Sequence, residues 1–136
     1  MSNSVHGACL CGQVQYRVTG PFEVFHLCHC SQCRRATGSA HAANIFTTED
    51  RLEWLGGQDS IKRFTPAKPG MISKCFCGNC GSTVPYTSLK SGKLIIPAGG
   101  LSEAPDIAPA DNIFWRDRAA WYDAGVAAEH VDQFPD

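Results

Sequence analysis

The segment Cys28-His29-Cys30-Ser31-Gln32-Cys33 carries three cysteines in six residues, and Cys75-Phe76-Cys77-Gly78-Asn79-Cys80 repeats its C-x-C-x-x-C pattern. A third group, Cys9-Leu10-Cys11, precedes both. Such close spacing is typical of metal ligands, whereas cysteines that serve only as small apolar core residues are scattered. The eight cysteines of the chain therefore decide the prediction of fold and function.

Metal binding explains all three groups better than the alternatives do. Disulfides are typical of secreted chains, and the N-terminus lacks the basic and apolar regions of a signal peptide. A redox C-x-x-C usually stands alone near a βαβ pattern, which this sequence lacks. Zinc is favoured because it accepts four thiolates in a tetrahedron, and an iron–sulfur cluster is the less favoured alternative.

The spacing also suggests how the cysteines divide between two metal ions. A C-x-C pair on a strand places both sulfurs on one face, and C-x-x-C followed by glycine forms a tight turn around a metal. One pair of each kind closes a tetrahedron, which groups Cys9 and Cys11 with Cys77 and Cys80. This leaves Cys28, Cys30 and Cys33 as a set with one ligand position free.

Cys75 is the eighth cysteine, and spacing alone leaves two interpretations open. It is either a small buried hydrophobe or free thiol, or the fourth ligand of the second zinc. In the second case both zinc sites would be closed and structural.

Periodicity predicts a sheet-rich fold. Val14, Tyr16 and Val18 alternate with polar residues, as in a half-buried strand, and further strand candidates follow at roughly ten-residue spacing with turn signals between them. A short helical turn is expected at 31–36. The chain has 136 residues and shows no domain boundary, so we expect a single domain over residues 1–136.

Composition excludes several classes of function. No apolar run approaches the roughly 18 residues of a membrane span, and with no export signal the expected location is the cytoplasm. Residues 1–100 hold ten Lys/Arg and five Asp/Glu, whereas residues 101–136 hold two and eight. Without a dense basic run, neither nucleic acid nor a membrane is an expected partner.

The acidic C-terminal part is expected to pack over the mildly basic body. A helical turn is predicted near 118–123, and the large aromatic side chains of Trp115, Trp121 and Phe134 are expected to anchor this part on the sheet.

The cysteine motifs resemble those of the glutathione-dependent formaldehyde-activating enzyme family, which includes centromere-protein-V-like proteins. The resemblance rests on Gly7-Ala8-Cys9-Leu10-Cys11-Gly12-Gln13-Val14, on Cys28 through Gly38, and on Phe76-Cys77-Gly78-Asn79-Cys80-Gly81-Ser82, and it continues in order to Phe134-Pro135. The sequence departs from the family pattern at Cys75, at Asn112 and at Ser102-Glu103.

This resemblance implies a mainly β, tent-like Mss4-like antiparallel fold with short helical turns, stabilised by two Zn²⁺ ions. It implies a structural zinc on Cys9, Cys11, Cys77 and Cys80, and a zinc accessible to substrate on Cys28, Cys30 and Cys33, which would form the catalytic centre. The implied activity is that of S-(hydroxymethyl)glutathione synthase, a carbon–sulfur lyase that acts on glutathione and formaldehyde.

Two other functions fit the same cysteine pattern. One is a non-catalytic zinc-stabilised binding module with two closed sites, and the other is a metal or redox sensor.

Candidate residues for holding an anionic thiol are those next to the cysteine ligands. Arg34, Arg35 and Lys74 are the cations nearest in sequence, although each is equally well explained as surface charge. His29 lies between two predicted ligands and is expected to support the site without binding metal. His26 is a weaker candidate for a general base.

Overall fold

The computed structural model describes residues 4–135, and this part of the chain is mainly β. The strands are β1 (Ser4–Ala8), β2 (Gln15–Thr19), β3 (Val24–Cys28), β4 (Ala42–Thr47), β5 (Leu52–Gly56), β6 (Ile61–Phe64), β7 (Lys74–Cys77), β8 (Thr83–Val84), β9 (Tyr86–Thr87), β10 (Leu94–Pro97) and β11 (Asp111–Ile113). The helices are α1 (Ser31–Thr37) and α2 (Tyr122–Ala127), and 3₁₀ turns lie at Glu49–Arg51, Gln58–Ser60, Ala98–Gly100 and Trp115–Asp117. The predicted mainly β fold with short helical turns is confirmed.

The strands form three sheets. One has the order β1-β2-β5, the second β11-β3-β4-β10-β9, and the third β6-β7-β8. The named strands pair in antiparallel fashion except β11, which runs parallel to β3. The antiparallel architecture expected from the resemblance is therefore confirmed, with one parallel pair added.

The alternation around Tyr16 produces the first sheet as predicted. Tyr16 and Val18 on β2 are fully buried, and Val14 just before the strand is buried with them. The neighbouring strand β1 was not predicted. Its residue Gly7 leaves room for the Tyr16 ring, since a Cβ atom there would lie 2.3 Å from that ring. A glycine is thus part of the packing that makes β1 possible.

The five-stranded sheet carries the second cysteine segment at one end. Strand β3 pairs with β4 so that Cys28 lies opposite Ala42, and β4 pairs with β10. Ile45, Leu94 and Ile96 from these strands are fully buried in the main core. Because the core fixes the strands, the end of β3 is held at a defined place, and the chain turns there into α1.

The C-terminal part packs differently from the prediction. Trp121 is 60% exposed and Phe134 92% exposed, so neither anchors this part on the sheet. Trp115 does make the predicted contact, with its ring 5.1 Å from that of His29. Tyr122, at the start of α2, adds a contact that was not predicted, with its ring 4.8 Å from the same histidine. The helix α2 begins at Tyr122, four residues after the start of the turn predicted at 118–123.

Two acidic residues of this part contact histidines of the body. The carboxylate of Glu103 lies 2.9 Å from Nδ1 of His6, and Asp111 contacts Nδ1 of His26 on β3. Within residues 4–135, no helix has the length and apolar character needed to cross a bilayer.

Candidate metal centres

The first cluster forms where β1 and β7 end. Cys9 and Cys11 follow β1, while Cys77 ends β7 and Cys80 lies in the turn after it. The four sulfurs lie within 4.8 Å of one another. The chain therefore joins the first and third sheets at this point with four thiols.

The distances suit a tetrahedral thiolate metal. Cys9 Sγ lies 3.6 Å from Cys11 Sγ, which lies 3.9 Å from Cys77 Sγ. Four Zn–S bonds of about 2.3 Å in a tetrahedron place the sulfurs about 3.8 Å apart. The four residues thus fit a metal such as zinc without rearrangement.

Backbone and hydroxyl groups support these sulfurs. The amide of Val14 donates to Cys9 Sγ at 3.2 Å, and the amide of Asn79 donates to Cys77 Sγ at 3.4 Å. The Ser82 hydroxyl and nearby backbone amides lower the pKa of Cys80 to about 5. Hydrogen bonds to a thiolate favour its charged form, so this turn is prepared to bind a cation.

The second cluster lies where β3 passes into α1. Cys28 ends β3, Cys30 precedes α1, and Cys33 lies in its first turn. The three sulfurs lie within 4.8 Å of one another. The amide of Cys33 donates to Cys30 Sγ at 3.3 Å, so the sulfur of Cys30 caps the helix. The structure therefore groups the same seven cysteines as the sequence spacing did, in the same two sets.

The second cluster is more buried than the first. Cys28 and Cys33 are buried, whereas Cys11 of the first cluster is exposed. Burial raises the pKa of Cys28, and that of Cys33 rises further because the other two cysteines add to the effect of burial. These buried thiols need a cation beside them to become thiolates at neutral pH.

Cys75 does not join the second cluster. Its sulfur is not within 4.8 Å of all three of the others; it is buried in the main core and accepts a bond of 3.5 Å from the guanidinium of Arg63. Strand β7 pairs Cys75 with Arg63 on β6 and with Val84 on β8. The neighbours of this thiol are therefore residues of the third sheet.

A cavity of about 590 Å³ lies between the two clusters. Cys9 lines it from the first cluster and Cys33 from the second. Its size falls within the usual range of small-molecule sites. Ile72 is part of its wall, and the Gln32 side chain accepts from the amide of Ile72 at 2.7 Å and so holds this segment against α1.

Of the three predicted cations, Lys74 alone lines this cavity. Its ammonium donates to the carbonyl of Ala36 at 2.8 Å, which leaves two N–H donors. Arg35 is exposed on α1, and Arg34 is half-buried; neither is part of the cavity wall. The predicted general base His26 also lies outside the wall, beside Asp111.

His29 supports the second cluster from behind, as predicted. It is fully buried, and its amide donates to the carbonyl of Ile113 at 3.0 Å. Its Nε2 lies 2.9 Å from Asn112 Oδ1, and its ring packs edge-on against Trp115 and Tyr122. The C-terminal part thus fixes the loop that carries Cys28 and Cys30.

Sequence reasoning missed two features of this site. Tyr86 lines the cavity opposite α1, although nothing in its neighbourhood of the sequence marks it. His41 packs 4.9 Å from His29, and burial lowers its pKa. Both result from strand pairing across the sheet, which spacing along the chain does not reveal.

Comparison with known proteins agrees with this description. The model of the family described as glutathione-dependent formaldehyde-activating enzyme matches residues 4–117. The crystal structure of a Rhodobacter sphaeroides protein is similar in fold, with a TM-score of 0.59 at 22% sequence identity over 79% of this chain and 98% of that one. At this identity the likeness concerns the fold alone. No sequence among curated proteins matches the chain.

Proposed function

This chain belongs to the glutathione-dependent formaldehyde-activating enzyme family, and from that premise we propose that it adds the thiol of glutathione, or of a related thiol, to an aldehyde such as formaldehyde, or cleaves the adduct. The adduct is S-(hydroxymethyl)glutathione, so the activity is that of a carbon–sulfur lyase. Residues 1–136 act as one domain. The chemistry needs reduced thiols, which is the condition of the cytoplasm.

We assign one Zn²⁺ ion to each cluster. Cys9, Cys11, Cys77 and Cys80 supply a complete tetrahedral set, whereas Cys28, Cys30 and Cys33 supply three ligands of four. Zinc bound by these three cysteines supplies a positive charge and a further ligand position, which favour the thiolate form of a substrate thiol.

The observation that carries the proposal is the position of Cys33 on the wall of the 590 Å³ cavity. A thiol in this cavity lies beside the incomplete ligand set. The polar residues Thr83 and Asn44 also belong to the walls and suit a peptide, which needs hydrogen-bond partners. The free N–H donors of Lys74 suit a carboxylate of glutathione.

The alternative of a closed, non-catalytic module requires Cys75 as the fourth ligand. The bond from Arg63 to Cys75 supports a thiol that is committed elsewhere. The incomplete set is therefore the better basis for a function.

Titration of cobalt-substituted protein with glutathione tests the proposal. Cobalt in a thiolate site reports its ligands through its visible absorption. We expect glutathione to change the spectrum of one of two cobalt ions, and S-methylglutathione, whose sulfur cannot become a thiolate, to leave it unchanged. A spectrum that glutathione does not alter would sink the proposal.

Two cysteine variants decide whether the second site is open. Cys75→Ser is expected to keep two zinc equivalents and the response to glutathione. Cys30→Ser is the matched control: serine still caps α1, but one zinc equivalent and the response are lost. Loss of a zinc equivalent from Cys75→Ser would favour the closed module.

A further inference from the structure

Tyr86 separates two cavities beside the second cluster. It lies on β9, where it pairs with Ile95 on β10. Its side chain lines the 590 Å³ cavity together with Cys33, and it also lines a neighbouring cavity of about 300 Å³. The residue is half-buried, so part of its surface faces these spaces.

The hydroxyl of Tyr86 is available to a ligand. The hydrogen bonds found within residues 4–135 do not engage it. The other two tyrosines differ in this respect. The Tyr16 hydroxyl is sealed in the core without a partner, and the Tyr122 ring is packed between His29 and His41. Tyr86 is thus the tyrosine that lines the proposed substrate space and whose hydroxyl has no hydrogen-bond partner within residues 4–135.

Tyr86 and Cys33 lie on the wall of the same cavity. Burial raises the pKa of Tyr86 to about 12. The phenol therefore keeps its proton at neutral pH. It is also the most acidic hydroxyl on the cavity wall, because the other hydroxyls belong to serine and threonine.

We propose that Tyr86 is a catalytic residue whose hydroxyl donates a hydrogen bond to the aldehyde oxygen of the adduct held beside Cys28, Cys30 and Cys33. This inference rests on the proposed function. It adds an oxygen-binding group to a site in which the sequence suggested only sulfur ligands and cations.

The chemistry balances without a further reactant. The thiolate sulfur forms a bond to the carbonyl carbon, the carbon–oxygen π bond breaks, and its electron pair moves to the oxygen. That oxygen takes up one proton from water, which replaces the proton that the thiol lost. Tyr86 keeps its own proton and stabilises the charge that develops on the oxygen.

Tyr86→Phe is the first test, with Tyr16→Phe as the matched control. Both variants lose one phenol hydroxyl, but only Tyr86 belongs to the cavity wall. We expect Tyr86→Phe to slow the exchange between formaldehyde and its glutathione adduct by about 10²-fold, the effect of removing one oxyanion donor. Glutathione should still change its cobalt spectrum as in the parent protein, and Tyr16→Phe should exchange at the parent rate.

Carbon-13 NMR of the unsubstituted protein gives a second readout. With ¹³Cζ-labelled tyrosine the chain shows three signals, one for each tyrosine, and these are assigned with the Phe variants. The Tyr86 signal should shift when formaldehyde is added to the glutathione complex, and much less with glutathione alone. The signals of Tyr16 and Tyr122 should stay in place.

The outcomes separate this inference from the proposed function. If glutathione leaves the cobalt spectrum unchanged, both are wrong. If glutathione binds but the Tyr86 signal ignores formaldehyde, or Tyr86→Phe exchanges at the parent rate, the role of Tyr86 alone is overturned.

Discussion

The two cysteine clusters are built from the same sequence pattern but differ in what surrounds them. The first joins two sheets, holds four thiols and includes Cys11 and Cys77, which are 66 positions apart in the chain. The second is local, formed within the six residues from Cys28 to Cys33, and holds three thiols beside a cavity. The same motif therefore belongs to a complete set of four ligands in one place and to a set with one ligand position free in the other.

The cause of the difference is the partner that each C-x-x-C segment receives. Cys77 and Cys80 meet the Cys9-Leu10-Cys11 pair, because β1 and β7 end at the same place. Cys30 and Cys33 meet only Cys28, because their neighbours are α1, β4 and the cavity. Strand topology, more than the motif, decides how many ligands a cluster has.

Removing one ligand from each cluster should give the largest contrast. Structural zinc supplies about 10–16 kcal/mol in zinc-finger peptides, as much as the whole stability of a typical domain. Cys77→Ser is therefore expected to abolish cooperative folding, because the first and third sheets lose their link. Cys33→Ser should stay folded and lose one zinc equivalent and the exchange activity.

Thermal unfolding followed by circular dichroism, together with zinc content, checks this contrast. The two variants are matched, since Cys77 and Cys33 are both buried and both substitutions replace sulfur by oxygen. Equal melting temperatures for the two variants would contradict the assignment of the structural role to the first cluster alone.

The sequence allows these clusters to be predicted because metal ligands are encoded by local spacing. The mainly β fold is predictable for a similar reason, since alternation around Tyr16 is a local signal. Strand β1 was missed because its sequence Ser4-Val5-His6-Gly7-Ala8 is short of β-branched residues. It is held by backbone pairing to β2 and by the space that Gly7 leaves for Tyr16.

The cavity and Tyr86 could not be predicted in this way. Tyr86 reaches the cavity only because β9 pairs with β10 at the edge of the five-stranded sheet. Likewise Tyr122 faces His29 because β11 pairs with β3 and brings the C-terminal part alongside. Contacts between residues far apart in sequence depend on the finished topology, which one sequence does not specify position by position.

Lys74 sharpens the comparison at the second cluster. Lys74→Met keeps the length of the side chain but removes its charge, so it should weaken glutathione binding about tenfold, the effect of losing one charge-assisted hydrogen bond. Arg35→Met is the control, because Arg35 is an exposed cation on α1 outside the cavity wall. Isothermal titration with glutathione measures both. Equal weakening by the two variants would point to general attraction by charge and not to a contact of Lys74.

Ser82 gives the smallest expected effect and tests how far the first cluster depends on groups other than its sulfurs. The Ser82 hydroxyl accepts from the amide of Leu10 at 3.0 Å and lies 3.3 Å from Cys80 Sγ. Water can replace it at Leu10, which is exposed, so Ser82→Ala should lower the free energy of unfolding by only about 1 kcal/mol. Ser4→Ala is the control variant, because it removes a 2.9 Å hydroxyl contact with Thr19 in the first sheet. It should lower the free energy of unfolding by a similar amount. Only Ser82→Ala should also speed the loss of zinc to a chelator, because it alone removes a bond to a ligand sulfur. If the two variants lose zinc at the same rate, the four sulfurs alone determine how tightly the first cluster holds zinc, and its hydrogen bonds serve only to form the turn.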